Sequence, residues 1–210
     1  MSDAKATMQL HWSSRSPFVR KVMLAAHERG LDHMIERIPT VVALTITDRA
    51  LLPHNPLGRI PTLRLADGRV FFDSSVICEY LDTLGEAPKL FPAAGPARWK
   101  ALQQQALADG ILDASQPRRR EVALPQDQGR IDYIVMQQGK VARALDVLEA
   151  EADTLGMLAT IGEITIGCAL GYLDFRFPHE PWRPGHPKLE AWYAKVVALP
   201  PLAETMPPAG

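Results

Sequence analysis

Several things are scarce in this 210-residue sequence, and each scarcity excludes a class of protein. Cysteine occurs twice, at Cys78 and Cys168, far apart and without metal-ligand spacing, so neither a disulfide framework nor a thiolate metal site is expected. Each cysteine lies inside an apolar helical pattern, which reads as two buried free thiols in a reducing compartment. Charge of one sign is not in excess: 23 Lys and Arg stand against 24 Asp and Glu, a formal net charge of −1. That balance argues against a polyanion-binding role, and no nucleic acid is expected as a partner. Arg118-Arg119-Arg120 is the one dense basic run, and it reads as a solvated helix end. No apolar run approaches the length of a membrane span. Met1 to Thr7 lack the apolar core of a secretory signal, so a cytoplasmic protein without a membrane partner is expected. Internal repeats and low-complexity tracts are also missing.

What is present is an ordinary globular composition, 47% hydrophobic and 22% charged, long enough for one large domain or two small ones. Met8-Gln9-Leu10-His11-Trp12 alternates apolar and polar residues as a half-buried strand does. Ser13 to Ser16 breaks the alternation, and Pro17 suits a first helical turn, where its missing N–H is no loss. Val19, Val22, Met23 and Ala26 then recur at helical spacing, with Gly30 as the stop. Residues 33–38 read as a second strand and 41–55 as a loop with a helical turn. Thr62 to Phe72 reads as a hairpin turning at Asp67-Gly68. Asp73 and Ser74 cap a helix whose inner face is Val76, Ile77, Tyr80, Leu81 and Leu84. Residues 85–96 are rich in glycine and proline and read as a linker.

Beyond the linker the pattern is helical throughout. Four apolar stripes follow: Trp99, Leu102, Ala106 and Leu107; then Ile134, Val135, Val141, Leu145, Leu148 and Ala152; then Ile166, Ala169, Leu170, Leu173 and Phe177; then Leu189, Trp192, Tyr193, Val196 and Val197. Thr160 and Glu163 have capping-box spacing before the third. The chain therefore divides into an α/β domain over 1–84, a linker over 85–96 and an all-helical domain over 97–210.

Three local features of the first domain suit a small thiol-containing peptide, and each has a plainer reading beside it. Ser16 falls at a helix N-terminus, beside unpaired N–H groups and the positive end of the dipole, where it is either an N-cap or an activating hydroxyl. Pro61 follows Ile60 and opens a strand; a cis bond there leaves the Ile60 backbone edge to pair with an extended peptide, whereas an ordinary loop proline does not. Asp73-Ser74 either caps its helix or holds an amino-acid head group, the helix start and hydroxyl taking the carboxylate and Asp73 the ammonium.

Taken in this order, Ser16-Pro17-Phe18-Val19-Arg20-Lys21, Arg59-Ile60-Pro61 and Asp73-Ser74 resemble the cytosolic glutathione transferases, most closely the serine-using tau-type classes and their bacterial relatives. The resemblance implies a thioredoxin-like first domain, an all-helical bundle after it, and glutathione as co-substrate. It matches Ser16 to the activating serine, Ile60 and Pro61 to the cysteinyl backbone, Asp73 and Ser74 to the γ-glutamyl group, and Arg59 to the glycyl end. Phe18 is counted with the glutathione contacts. With Trp12, Ile111, Gln116, Arg118 and Phe175 it is also a candidate for the electrophile pocket, where core packing competes for the apolar members. Asp109, before Gly110, matches an aspartate that reaches glutathione in the other subunit of a homodimer.

A free thiol with a pKa near ~8.5 is only a few per cent ionised at neutral pH. Lowering it by about two units takes roughly 2.7 kcal/mol. One hydroxyl hydrogen bond to the anion supplies about 1.5–3 kcal/mol and the dipole about 0.3–1 kcal/mol. A serine is sufficient. Ser13 and Ser14 lie close enough in sequence to compete for the role, and Asp73 stands where the family more often has Glu. The implied activity is addition of the glutathione thiolate to a small electrophile. The alternatives are a catalytically weak glutathione-binding module and a zeta-type glutathione-dependent isomerase.

Overall fold

The computed structural model describes residues 7–208 except 42, 44, 45 and 47, and it divides into two compact units, Met1–Phe91 and Pro92–Gly210. The expectation about the first residues concerns a segment outside those described, apart from Thr7. In the first unit, β1 (Met8–Trp12) leads into α1 (Pro17–Glu28), a short 3₁₀ turn at Asp32–Met34 and β2 (Ile35–Pro39). The chain then runs through turns to β3 (Thr62–Leu65), β4 (Val70–Phe71) and α2 (Ser74–Thr83). The strand order is β2-β1-β3-β4, with β1 parallel to β2 and antiparallel to β3. This is the thioredoxin-like arrangement. Gly68 takes φ +90° in the β3–β4 turn, where a side chain would be strained.

The register explains where each face goes. Leu10 stands opposite Leu63, and both are fully buried. On α2 the buried positions are Ser74, Ile77, Cys78, Leu81 and Asp82, spaced i, i+3, i+4, i+7, i+8. Val76 therefore points outward and is 48% exposed, a correction to the inner face expected for it; Tyr80 and Leu84 are half-buried. Both cysteines are free and buried, as expected.

Residues 85–91 belong to the first unit, because the Asp82 carboxylate accepts the Leu90 N–H at 2.7 Å and the Phe91 N–H at 3.3 Å. Both of those side chains are buried.

The second unit contains α3 (Gly95–Val122), α4 (Gln128–Glu151), α5 (Ile161–Arg176), α6 (Pro187–Val197) and α7 (Pro200–Glu204). Helix α5 is the axis, with Ile161 to Leu173 buried. Its start carries the expected capping box: Thr160 Oγ1 accepts the Glu163 N–H while the Glu163 carboxylate accepts the Thr160 N–H. Helix α3 packs so closely on α5 that a Cβ on Gly162 would stand 2.7 Å from Gln104 Cβ and 2.8 Å from the Ala101 carbonyl oxygen.

That close approach overturns the first helical stripe. The buried residues of α3 are Ala101, Gln104, Gln105, Ala108, Ile111, Leu112, Ala114, Ser115 and Arg118, helically spaced but small or polar in many places. Trp99 is 69% exposed and Ala106 is exposed, since the apolar residues lie off the face that meets α5. In the second stripe Val135 is likewise exposed, whereas Val141, Leu145, Leu148 and Ala152 are buried. The third and fourth stripes bury as expected, with Val197 partly exposed. Arg118 is a further correction. It is not solvated like its neighbours Arg119 and Arg120 but buried, its guanidinium 4.0 Å from the Phe177 ring centroid and 3.0 Å from a Glu180 carboxylate oxygen. No helix among the described residues is long and apolar enough to cross a membrane.

Candidate active site

The first unit carries three local arrangements of polar groups, at the start of α1, in the segment before β3 and at the start of α2. Ser16 adopts extended backbone angles as the N-cap of α1, and its Oγ accepts the Val19 N–H at 3.3 Å. Accepting that bond uses a lone pair and leaves the hydroxyl proton to donate elsewhere. Ser13 is turned to a local task, its Oγ accepting the Arg15 N–H at 3.4 Å, while the Ser13 carbonyl accepts the Ser16 N–H. Ser16 and Phe18 are both half-buried.

Ile60–Pro61 is cis, as expected of a proline placed just before a strand. The Ile60 N–H and C=O make no hydrogen bond among the described residues, so the edge is open to an extended peptide. Arg59 is exposed. The turn presenting this edge is built by Asn55, which the sequence pattern did not single out, and by Thr62, the first residue of the expected hairpin. Asn55, 1% exposed, donates to the Arg59 carbonyl and to Thr62 Oγ1, both at 3.0 Å, and accepts the Leu57 N–H. Thr62 Oγ1 in turn donates to the Arg59 carbonyl at 2.9 Å. A buried asparagine with its polar atoms satisfied fixes the backbone ahead of Pro61. The one signal for it in the sequence was an Asn-Pro step inside a stretch with no apolar period.

At the third element Asp73 and Ser74 separate their roles. Asp73 alone is the N-cap of α2, its Oδ1 accepting the Ser75 N–H at 3.0 Å. Ser74 is 2% exposed and its hydroxyl takes no hydrogen bond among the described residues. The Phe72–Asp73 peptide is also cis.

Below the turn, His11 on β1 is 7% exposed, with Nδ1 2.9 Å from Thr40 Oγ1. Thr40 Oγ1 donates to the Ile38 carbonyl, so the proton of this bond belongs to His11 Nδ1. Burial, with the His54 ring 5.6 Å away, holds the His11 imidazole below its ordinary pKa.

Family models for the glutathione S-transferase N-terminal domain and C-terminal domain match residues 15–84 and 97–195. The chain belongs to the glutathione S-transferase family. An Escherichia coli K12 relative, the uncharacterized GST-like protein YibF, is 35% identical over 96% of this chain and 99% of its own. A glutathione transferase family member from Pseudomonas fluorescens Pf-5, solved with bound glutathione, is 42% identical with a TM-score of 0.90, covering 96% of this chain and all of that one. A structure from the same source with bound S-(propanoic acid)-glutathione is 41% identical, with a TM-score of 0.88 over 96% and 100% of the two chains.

Within this glutathione S-transferase family member, the residues matched by resemblance fall in both units. Ser16, Phe18, Arg59, Ile60, Pro61, Asp73 and Ser74 belong to the first. Asp109 is half-buried on α3 of the second. Among the described residues, no group of three or more His, Cys, Asp or Glu could hold a metal ion.

Proposed function

We propose that this chain is a glutathione transferase: it binds glutathione in its first unit, ionises the thiol beside Ser16 and adds the thiolate to a small electrophile. The observation that carries the proposal is the Ser16 hydroxyl, which accepts from Val19 at a helix N-terminus and keeps a proton to give to sulfur. The open Ile60 edge pairs with the cysteinyl backbone. The uncommitted Ser74 hydroxyl and the first turn of α2 take the γ-glutamyl carboxylate, Asp73 takes its ammonium, and Arg59 faces the glycyl end. The relative that holds S-(propanoic acid)-glutathione supports a thioether product. The protein works as a homodimer in the cytoplasm, with Asp109 completing the neighbouring subunit's site.

Ultraviolet absorbance tests the chemistry directly. Mixing the protein with glutathione should generate the thiolate band at neutral pH, and a panel of halides, epoxides, peroxides and α,β-unsaturated acids should reveal turnover. Binding without the thiolate band and without turnover would leave a glutathione-binding module in place of an enzyme.

A further inference from the structure

One peptide unit ahead of Pro61 is held at one end and open at the other. The Arg59 carbonyl and the Ile60 N–H are the two ends of a single planar amide. At the carbonyl end two donors converge, Asn55 Nδ2 at 3.0 Å and Thr62 Oγ1 at 2.9 Å. At the other end the Ile60 N–H makes no hydrogen bond among the described residues. The two donors also bind each other, because the second proton of Asn55 Nδ2 goes to Thr62 Oγ1 at 3.0 Å. Asn55 Oδ1 accepts the Leu57 N–H, which settles the orientation of the side-chain amide. Asn55 is 1% exposed and Thr62 is fully buried, so this ring of three hydrogen bonds is shielded from water.

The turn does not need the ring to close. Its backbone is already held by the Asn55 N–H on the Leu51 carbonyl and the Gly58 N–H on the Asn55 carbonyl, both at 2.9 Å. What the side chains add is the orientation of the Arg59–Ile60 plane. That plane cannot turn without breaking both bonds to its carbonyl, so the N–H at its far end is held in one direction. A carbonyl that accepts two hydrogen bonds also polarises its own amide and makes the N–H a stronger donor. We infer that Asn55 and Thr62 are positioning residues that aim and strengthen the Ile60 N–H for the cysteinyl carbonyl of glutathione. The site thereby favours thiols with a carbonyl on the cysteinyl α-carbon over simple aminothiol amides. The inference rests on the glutathione reading above.

Calorimetric titration of three ligands tests it. Glutathione and γ-glutamylcysteine both carry an acceptor on the cysteinyl α-carbon; γ-glutamylcysteamine keeps the head group, the amide N–H and the thiol but has no such acceptor. Thr62→Val keeps the side-chain shape and removes the hydroxyl. It should weaken glutathione and γ-glutamylcysteine about threefold to tenfold, and γ-glutamylcysteamine by less than about twofold. Thr62→Ser keeps the hydroxyl and should stay within about twofold of wild type for all three. An equal loss for all ligands would make the ring structural only, and no loss for glutathione would equally overturn the inference. A loss confined to glutathione would trace to its glycyl end and would overturn it too. If Thr62→Val does not fold, the wild-type Ile60 amide proton decides the matter by nuclear magnetic resonance. It should move downfield with glutathione and not with γ-glutamylcysteamine, and an absent or identical shift would overturn the inference. Wild-type protein that binds none of the ligands would instead overturn the glutathione reading itself.

Discussion

Ser16 Oγ stands 3.3 Å from the Val19 amide nitrogen, so one hydroxyl caps α1 and still holds a proton for a ligand. The two roles predict different losses. Ser16→Ala should cut turnover roughly 10- to 100-fold, the loss of about 1.4–2.7 kcal/mol of anion stabilisation, with glutathione affinity within a few-fold. The cap adds a stability loss of about 1 kcal/mol, measurable by urea denaturation. Ser16→Asn would keep a cap without the hydroxyl and should recover stability but not turnover. Full activity in Ser16→Ala, with Ser13→Ala or Ser14→Ala inactive, would move the activating role upstream.

Because Asp73 caps α2 and Ser74 does not, the proposed head-group contacts can be tested apart from folding. Asn is as good an N-cap as Asp, so Asp73→Asn should leave the melting temperature nearly unchanged. It should raise the Michaelis constant for glutathione more than it lowers turnover, because a head-group contact of this kind would be made both before and during reaction. Ser74→Ala should do the same. Normal glutathione affinity in both variants would confine the pair to a structural role.

The elements that position these groups were legible where local chemistry and burial agreed. Strand β1, the Ser16-Pro17 helix start, the Asp67-Gly68 hairpin and the Thr160–Glu163 capping box all follow from residues a few positions apart. Helix α3 was misread because its buried side is chosen by the backbone of α5. Gly162 lets the helices approach, and at that distance Gln104 and Ala101 fit where Trp99 and Leu102 do not. Arg118 was misread for a related reason: its partners Phe177 and Glu180 are far away in sequence, and only the fold supplies an aromatic face and a carboxylate. The part Asn55 plays is not legible in the sequence, because nothing in an isolated sequence marks a polar side chain as buried.

A buried ion pair closes the first unit. Arg29 Nε lies 3.5 Å from Asp82 Oδ1, and Arg29 Nη2 donates to the Leu84 and Gly85 carbonyls at 2.5 and 2.9 Å. Asp82 in turn receives the Leu90 and Phe91 amides, so the pair ties the end of α1 to the exit from α2. Arg29→Met leaves a buried carboxylate facing no cation and should destabilise the protein by about 3–5 kcal/mol. Asp82→Asn keeps an acceptor for Leu90 and should still cost about 1–3 kcal/mol for the hydrogen bonds it weakens. Chemical denaturation of both variants measures the difference, and a loss below about 1 kcal/mol in Arg29→Met would show that the pair is dispensable.

Acid sensitivity should trace in part to His11. Its imidazole is neutral in the fold, with Nδ1–H donating to Thr40, and burial disfavours its charged form. His54 and Arg64 push its pKa in the same direction, while Asp48 opposes them. A folded-state pKa below the unfolded value of about 6.5 means that the unfolded chain binds more protons between the two. Stability is therefore complete above about pH 6.5 and falls as pH drops toward the lowered folded value. His11→Asn should flatten this slope in denaturation series across mildly acidic pH. An unchanged slope would assign the sensitivity to other groups.

Assembly and affinity should be linked through Asp109. If its carboxylate reaches the γ-glutamyl ammonium in a second subunit, each site is complete only in the homodimer, and the interface is the same patch on both copies. A charge-assisted contact of this kind contributes about 1.5–3 kcal/mol when shielded, or roughly a 10- to 150-fold change in affinity. Asp109→Ala should therefore weaken glutathione binding while leaving the helical signal of α3 intact, because the substitution sits mid-helix and Ala favours helix. Mass action adds a second signature: glutathione should strengthen the dimer by the same factor by which dimerisation strengthens glutathione binding. Sedimentation at a series of micromolar concentrations, with and without glutathione, measures both sides. In Asp109→Ala the coupling should vanish even where the dimer persists. A monomer with full glutathione affinity would remove the partner subunit from the site and leave Asp109 as an acid on the surface of α3.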